Sequence, residues 1–196
     1  MTVERRYVRP SMQQIHRYPD EILKLVAAPV RNLDGKLVAF LDEMAQTMYA
    51  APGVGLAAPQ VGLSERAIVL DCDSAEERAE QRGRGLLKLV NPEIIAAEGS
   101  LVWEEGCLSV VDFTAEVKRA ARVLVRAFTP EEKEIRIEAE GLLAVALQHE
   151  IDHLDGKLFI DRISRLKRDL YKRKIKKVIR EGRFEEEAAK SPVLHI

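Results

Sequence analysis

The stretch GLLAVALQHEIDHL, which runs from Gly141 to Leu154, decides how the rest of the sequence is interpreted. Its apolar residues recur at helical spacing and Gly156 follows closely, so a largely buried helix is predicted over 142–154. His149 and His153 are four residues apart and lie about 40° apart around a helix axis, so both imidazoles point from one face. Glu150 stands beside them, and this H-E-x-x-H spacing is typical of a metal site that carries its own general base.

A metal site of this kind needs a third protein ligand, which the helix does not supply. In one protease class the third ligand follows the motif, but Phe159 occupies that position here and cannot bind metal. The candidates elsewhere include His16, His195 and Cys107. Only Cys107 has neighbours suited to a site, since Gly106 permits close backbone approach. A lone cysteine is more often buried filler, so both interpretations stay open.

A third segment of interest is GVGLAAPQ, from Gly53 to Gln60. Its small residues allow a ligand to approach the chain closely, and the Gln60 amide could donate to a developing oxyanion. It lacks the lysine and the preceding strand of a phosphate-binding loop. A tight turn between a helix and a strand explains the same residues equally well.

The surrounding pattern predicts an α+β fold, because helices and strands do not alternate strictly. An amphipathic helix is expected near 35–50, capped by Asp34. Strands are expected at 67–70, 86–90, 123–128 and 134–137, the last two joined by a turn at 129–132. The polar stretch 73–85 is expected to be an exposed loop. Together these elements predict small antiparallel or mixed sheets around the central helix that carries the metal-binding motif.

The C-terminal part of the chain is strongly basic. The whole protein has a formal net charge of −1, but residues 162–183 contain eleven lysines and arginines against two acidic residues. An amphipathic helix is predicted over 161–181, with a stripe formed by Ile163, Leu166, Leu170, Ile175 and Val178. The local charge of +9 suggests a polyanionic surface nearby, although a charged helix face is most often only solvated.

Length and composition favour one folded domain. The 196 residues are 46% hydrophobic, enough to bury a core, so a single domain over 1–196 is expected, with an N-terminal extension at 1–11 and a tail at 184–196. No apolar run approaches the roughly 18 residues of a membrane span, and no signal peptide is evident. Two cysteines are too few for a disulfide scaffold. We therefore expect a cytoplasmic protein with no membrane or DNA partner.

Three ordered motifs, G-x-G-L-A-A-x-Q, E-G-C-L-S and Q-H-E-x-D-H-L-x-G, together resemble those of peptide deformylase. The resemblance extends in order from about Met12 to Lys177. It implies hydrolysis of the N-formyl group of formyl-methionyl nascent chains, with release of formate. It also implies a C-terminal helix that docks near the ribosomal exit tunnel.

The resemblance assigns roles to individual residues. Cys107, His149 and His153 would hold one divalent metal ion per chain, natively Fe(II), although Zn(II) and Ni(II) also occupy the site in this family. Glu150 would be the general base and then the acid. Gln60 and the backbone N–H of Leu108 would form the oxyanion hole.

The same resemblance implies a substrate-binding set. Its members are Val54, Gly55, Trp103, Glu105, Leu142, Val145 and Ala146. Most of them would line a pocket for the methionine side chain, and Gly55 would pair its backbone with the peptide. Leu142, Val145 and Ala146 are equally well explained as ordinary helix core. Arg119 matches a basic position of the family and is expected to balance Glu105. Val111 and Thr114 depart from the family, which commonly has proline and arginine there.

Two other functions fit parts of the sequence. A zinc endopeptidase would use the same helix but would need a third ligand after the motif. A non-catalytic RNA-binding or ribosome-binding protein would rely on the basic helix, yet no aromatic stacking platform accompanies it. A degenerate, inactive deformylase relative is a third alternative, which the intact ligands and base disfavour.

Overall fold

The protein folds into two antiparallel sheets packed around one buried helix. A computed structural model describes residues 12–72 and 85–189. The strands are β1 (Gly55–Ala57), β2 (Ala67–Leu70), β3 (Leu87–Glu98), β4 (Leu101–Cys107), β5 (Val110–Arg119), β6 (Arg122–Phe128) and β7 (Glu134–Glu140). Five of them form a sheet in the order β1-β2-β3-β6-β7, and β4 pairs with β5 in a separate hairpin. The predicted α+β class is confirmed, with every strand pair antiparallel.

Four helices complete the described chain. They are α1 (Gly35–Ala50), α2 (Gly141–Leu154), α3 (Arg165–Arg180) and the short α4 (Phe184–Ala189). Asp34 caps α1 as predicted, because its carboxylate accepts hydrogen bonds from the N–H groups of Lys36 and Leu37. Short 3-10 helices lie at Glu21–Lys24, Ala58–Val61 and Phe159–Asp161. No helix in these ranges is both long and apolar enough to cross a bilayer.

Helix α2 is the centre of the core. Every residue from Ala144 to Leu154 is buried. The apolar ones pack in one cluster with Ile68 and Leu70 of β2 and with Val125 of β6. Burial of the whole helix explains why its polar residues need internal partners, since an unpaired polar group in the core is costly.

Several details of the sequence prediction are wrong. Strands β4 and β5 were not predicted, and α3 begins at Arg165 instead of at 161, because the Ser164 hydroxyl caps it. Leu166 and Leu170 were expected in the buried stripe, but they are 68% and 53% exposed. The buried side of α3 consists of Tyr171, Ile175 and Val178.

The boundaries predicted near the ends of the chain are only partly observable. The N-terminal extension 1–11, most of the predicted loop 73–85 and the last part of the predicted tail lie outside the described residues. Helix α4 occupies the first part of that tail, so residues 184–189 are helical. The turn between β6 and β7 forms as predicted, with the Thr129 N–H donating to the Lys133 carbonyl at 2.9 Å.

Candidate metal centre and active site

Helix α2 and the end of β4 bring three metal-ligating side chains together. The ligand atoms of Cys107, His149 and His153 all lie within 4.8 Å of one another, and all three residues are buried. The Cys107 Sγ lies 3.3 Å from the His153 Nε2. Two ligands bound tetrahedrally, a sulfur at about 2.3 Å and a nitrogen at about 2.1 Å, would be separated by ~3.5 Å. The spacing therefore fits a shared ion.

Unpartnered polar atoms at the same place provide a second test of that fit. Within the described ranges, the His149 Nε2 and both carboxylate oxygens of Glu150 are buried and have no hydrogen-bond partner. A buried polar atom without a partner costs roughly 1–3 kcal/mol, and such groups often mark a catalytic or ion site. The three ligands and the adjacent carboxylate are thus suited to a divalent metal.

Of the other candidates for the third ligand, His16 is engaged elsewhere. Its Nδ1 is 2.6 Å from the Asp20 carboxylate near the surface. His195 lies outside the described residues. Phe159, at the position of the ligand in the protease class, is buried and stacks on the His149 imidazole with centroids 6.2 Å apart. Among the candidates within the described residues, Cys107 is thus the one that lies beside His149 and His153.

Gln60 points its amide toward the thiol. The Gln60 Oε1 accepts from the Ala57 N–H at 2.8 Å, and the Nε2 donates to the Ser109 hydroxyl at 3.1 Å and lies 3.7 Å from the Cys107 Sγ. The Ser109 N–H is 3.4 Å from the same sulfur. These contacts hold the Cys107 side chain in place beside the two histidines.

Glu105 has a different place from the one expected. It was predicted to contact substrate, but its side chain is fully buried and both oxygens are occupied by protein groups. Arg119 donates to it twice, at 2.6 and 2.8 Å, and the His149 Nδ1 lies 2.8 Å away. Burial alone would raise the pKa of Glu105, but the hydrogen bonds from Arg119 and His149 lower it to about 2. Glu105 therefore orients His149, leaving its Nε2 directed at the candidate ion.

Glu150 is held in close contact with β1. A Cβ atom on Gly55 would lie only 2.3 Å from the Glu150 Oε1, so only glycine fits there. Burial, with contributions from Glu105 and Asp152, outweighs the attraction of His149 and Arg119 and raises the pKa of Glu150 to about 7. A carboxyl group with this pKa can both accept and donate a proton near neutrality.

The remaining predicted residues share one apolar cluster. Val54, Val145 and Ala146 are fully buried in it, and Trp103 and Leu142 pack against it while keeping some exposed surface. An apolar side chain could therefore reach the cluster at Trp103 and Leu142.

Leu108 occupies the turn after Cys107 and is partly buried. Its side chain faces Gly53, where an added Cβ would meet the Leu108 Cδ1 at 2.9 Å. The segment at 12–20 contacts Gln60 and Ser109 through its backbone. The N–H of His16 donates to the Gln60 carbonyl and the N–H of Tyr18 to the Ser109 carbonyl, both at 2.7 Å. The loops that carry Gln60 and Leu108, which were predicted to form the oxyanion hole, are thus both hydrogen-bonded to the segment at 12–20.

Asp152 and Arg162 were assigned no role from the sequence, yet they form an ion pair that also includes Arg119. Asp152 is 4% exposed and accepts a hydrogen bond from Arg119 at 2.5 Å as well as a bidentate pair from Arg162. The signal for Asp152 was present, since a charge inside a wholly buried helix requires a partner. The burial of Arg119 also follows a pattern, because Ala115, Val117 and Arg119 occupy alternate positions on the buried face of β5.

Comparison with known proteins agrees with this geometry. A family model described as polypeptide deformylase matches residues 12–169. The chain is 52% identical over 165 residues to a peptide deformylase of Syntrophobacter fumaroxidans, covering 84% of this chain and 94% of that protein.

Solved structures give the same result. A peptide deformylase from Legionella pneumophila superposes with a TM-score of 0.79 at 43% identity, over 88% of this chain and 98% of that one. The Ehrlichia chaffeensis enzyme in complex with actinonin gives 0.78 at 35% identity, over 85% and 97%. On fold, site geometry and these matches together, the chain belongs to the polypeptide deformylase family.

Proposed function

We propose that this chain removes the N-formyl group from formyl-methionyl nascent peptides at the centre formed by Cys107, His149 and His153. Deformylation is the activity of its family. The observation that carries the assignment of residues is the buried Cys-His-His cluster with the unpartnered Glu150 carboxylate beside it. Because nascent chains are made in the cytoplasm, we place the protein there.

The three ligands would hold one divalent metal ion, and we propose Fe(II) as the native one. A thiolate and two imidazoles also suit Zn(II) and Ni(II), so the preference for iron rests on the family resemblance. When bound, the metal polarises the formyl oxygen and lowers the pKa of a water molecule toward neutrality. The hydrogen bond between Glu105 and the His149 Nδ1 would hold the imidazole in the orientation that metal binding needs.

The protein's own groups then handle protons and charge. Glu150 accepts the proton of the attacking water and delivers it to the leaving amine, because its carboxylate lies on the ligand helix and has no hydrogen-bond partner in the protein. The Gln60 Nε2 and the Leu108 N–H donate to the oxygen on which negative charge develops. Removal of one such donor typically costs ~3 kcal/mol of transition-state stabilisation.

The sheet edges suggest how the peptide is held. Strand β1 is an edge of the five-stranded sheet, and β4 pairs on one side only with β5. Both strands border the candidate centre through Gly55 and Cys107. An extended peptide can therefore add its backbone to these edges, with its methionine side chain directed at the cluster of Val54, Trp103 and Leu142.

We further propose that helix α3 docks on ribosomal RNA near the exit tunnel. Its outward face carries exposed basic side chains, including Lys172, Arg173, Lys176 and Lys177. RNA phosphates would provide a salt-sensitive anchor for this face. The alternative is a solvated face that contributes only to solubility.

Formate release tests the enzymatic proposal. Formyl-Met tripeptide and its unformylated counterpart would be incubated with the metal-loaded protein and with chelator-treated protein. We expect formate only from the formylated peptide and only with metal, and no cleavage of internal peptide bonds. Internal cleavage would favour the zinc endopeptidase instead.

Ribosome docking has its own test. Gln would replace Lys172, Arg173, Lys176 and Lys177, and sedimentation with ribosomes would be measured at low and high salt. A matched control carries Gln at four exposed basic residues of strands β6 and β7 and the turn between them, Arg122, Arg126, Lys133 and Arg136. Docking predicts that only the first variant loses salt-sensitive binding, with normal tripeptide turnover. Equal binding by both variants would leave the solvated face as the explanation.

A further inference from the structure

Five side chains of alternating charge form a continuous path from His149 to the protein surface. In order they are His149, Glu105, Arg119, Asp152 and Arg162. The first four are at most 4% exposed, whereas the side chain of Arg162 is 40% exposed. Arg162 is therefore the only member of the path that reaches solvent appreciably.

Arg162 completes the pairing of Asp152. One Asp152 oxygen accepts from Arg162 alone, and the other accepts from both Arg162 and Arg119. Without Arg162, one oxygen of a buried carboxylate would lose its partner, which is costly in a low-dielectric interior.

Arg119 would be the group that responds to this loss. Its Nε and one terminal nitrogen donate hydrogen bonds to Glu105, and the other terminal nitrogen donates to Asp152. Because the guanidinium is a rigid fork, a turn toward the underpaired Asp152 would weaken both bonds to Glu105. Glu105 in turn fixes the imidazole of His149 at 2.8 Å.

We infer that Arg162 is a positioning residue for the metal centre, which acts on His149 through Asp152, Arg119 and Glu105. This inference rests on the proposed function of the Cys107–His149–His153 centre. It assigns a catalytic effect to a surface residue outside the deformylase motifs, one that touches neither the ligand set nor the substrate-binding edges.

A simpler role would be that Arg162 merely anchors the end of α2. Arg66 provides the matched comparison, because it pairs with Asp155, which follows the same helix end, at 2.9 Å. Arg66 is not part of the charge path. Loss of either arginine would weaken the helix end, but only loss of Arg162 would disturb His149.

The test compares Arg162→Gln, Arg162→Lys and Arg66→Gln with the parent protein. Four quantities are measured: Zn(II) affinity by chelator competition, kcat and KM for formyl-Met tripeptide, and thermal stability. Loss of a group that orients a metal ligand lowers affinity or activity by about 10–100-fold, so we expect roughly a tenfold fall in Zn(II) affinity and in kcat for Arg162→Gln. KM should stay near the parent value, because Arg162 does not contact the peptide edges.

Arg162→Lys is expected to have an intermediate effect on Zn(II) affinity and kcat. A single ammonium keeps the charge but cannot reproduce the bidentate pair, so Arg162→Lys should lie between Arg162→Gln and the parent. Arg66→Gln should lose stability without losing affinity or kcat. The lysine variant also keeps the test decisive if the glutamine variant does not fold.

Two results would overturn the inference. One is parent-like affinity and kcat in Arg162→Gln; the other is an equal loss in Arg66→Gln. A parent protein that neither binds Zn(II) nor releases formate would instead overturn the proposed function, so the two failures are distinguishable.

Discussion

The charges beside His149 and the charges on helix α3 differ in almost every physical respect. Arg119 and Glu105 are at most 1% exposed in their side chains, and each bonds to fixed partners. On α3, the side chains of Arg165 and Lys177 are 87% and 65% exposed, with acidic partners 3.6 and 3.9 Å away on the same helix or at its end.

This difference separates two uses of charge in one chain. Breaking a buried pair by removing one partner costs about 3–5 kcal/mol, whereas an exposed pair contributes about 0–1 kcal/mol. The buried charges can therefore fix the geometry of a metal ligand, and the exposed ones suit a reversible, salt-sensitive contact.

The largest effect is expected inside the buried region, at Cys107. Because Cys107→Ala removes one of three ligands, the variant should lose stoichiometric metal and with it nearly all formate release. Cys72→Ala, at the half-buried second cysteine, is the control and should retain both. Elemental analysis after gel filtration measures the first quantity. Full metal occupancy in Cys107→Ala would remove Cys107 from the ligand set.

The next effect concerns stability. Arg119→Met removes both hydrogen bonds that Arg119 donates to the buried Glu105 and the one that it donates to Asp152, so the free energy of unfolding should fall by about 3–5 kcal/mol. Arg126→Met breaks an exposed pair with Glu93 and should change it by less than about 1 kcal/mol. Urea titrations of the two variants measure both values. Similar losses would show that burial does not distinguish the two kinds of charge.

A smaller effect is expected in the pH dependence of metal binding. Burial disfavours charge on His149, but Cys107 and Glu105 outweigh it and raise the pKa of the imidazole to about 10. Below that pH the metal must displace a proton from His149, so affinity should rise with pH through neutrality.

Glu105→Gln sharpens this test. Without the carboxylate one of the groups that raise the pKa of His149 is lost, so that pKa should fall and less of the imidazole should be protonated at a given pH. Zn(II) affinity measured from pH 7 to 9 should then depend on pH less steeply than in the parent. Parallel slopes would mean that Glu105 does not control the protonation of His149.

The same comparison explains what the sequence could and could not predict. The spacing of His149 and His153 is a local property of one helix, and so is the Asp34 cap of α1, and the structure has both features. Arg119 and Asp152 are 33 residues apart, and their contact depends on how β5 meets α2, which no local pattern encodes.

The missed elements have local causes as well. Strand β4 ends in three consecutive buried residues, from Glu105 to Cys107, so it lacks the alternation that reveals a strand. On α3, leucines and isoleucines lie between basic residues on more than one side, so the sequence is compatible with more than one buried stripe. Packing against β5 and the short helix at Phe159–Asp161 buries Tyr171 and Ile175.

The central claim is that Glu150 is a proton-transferring group beside the metal and not one of its ligands. Glu150→Gln preserves size and removes the base, so metal content and formate release from formyl-Met tripeptide should be measured on the same preparation. We expect one metal ion per chain, as in the parent, and a rate lowered by about 10²–10⁴-fold. Loss of the metal, or turnover close to that of the parent, would contradict it.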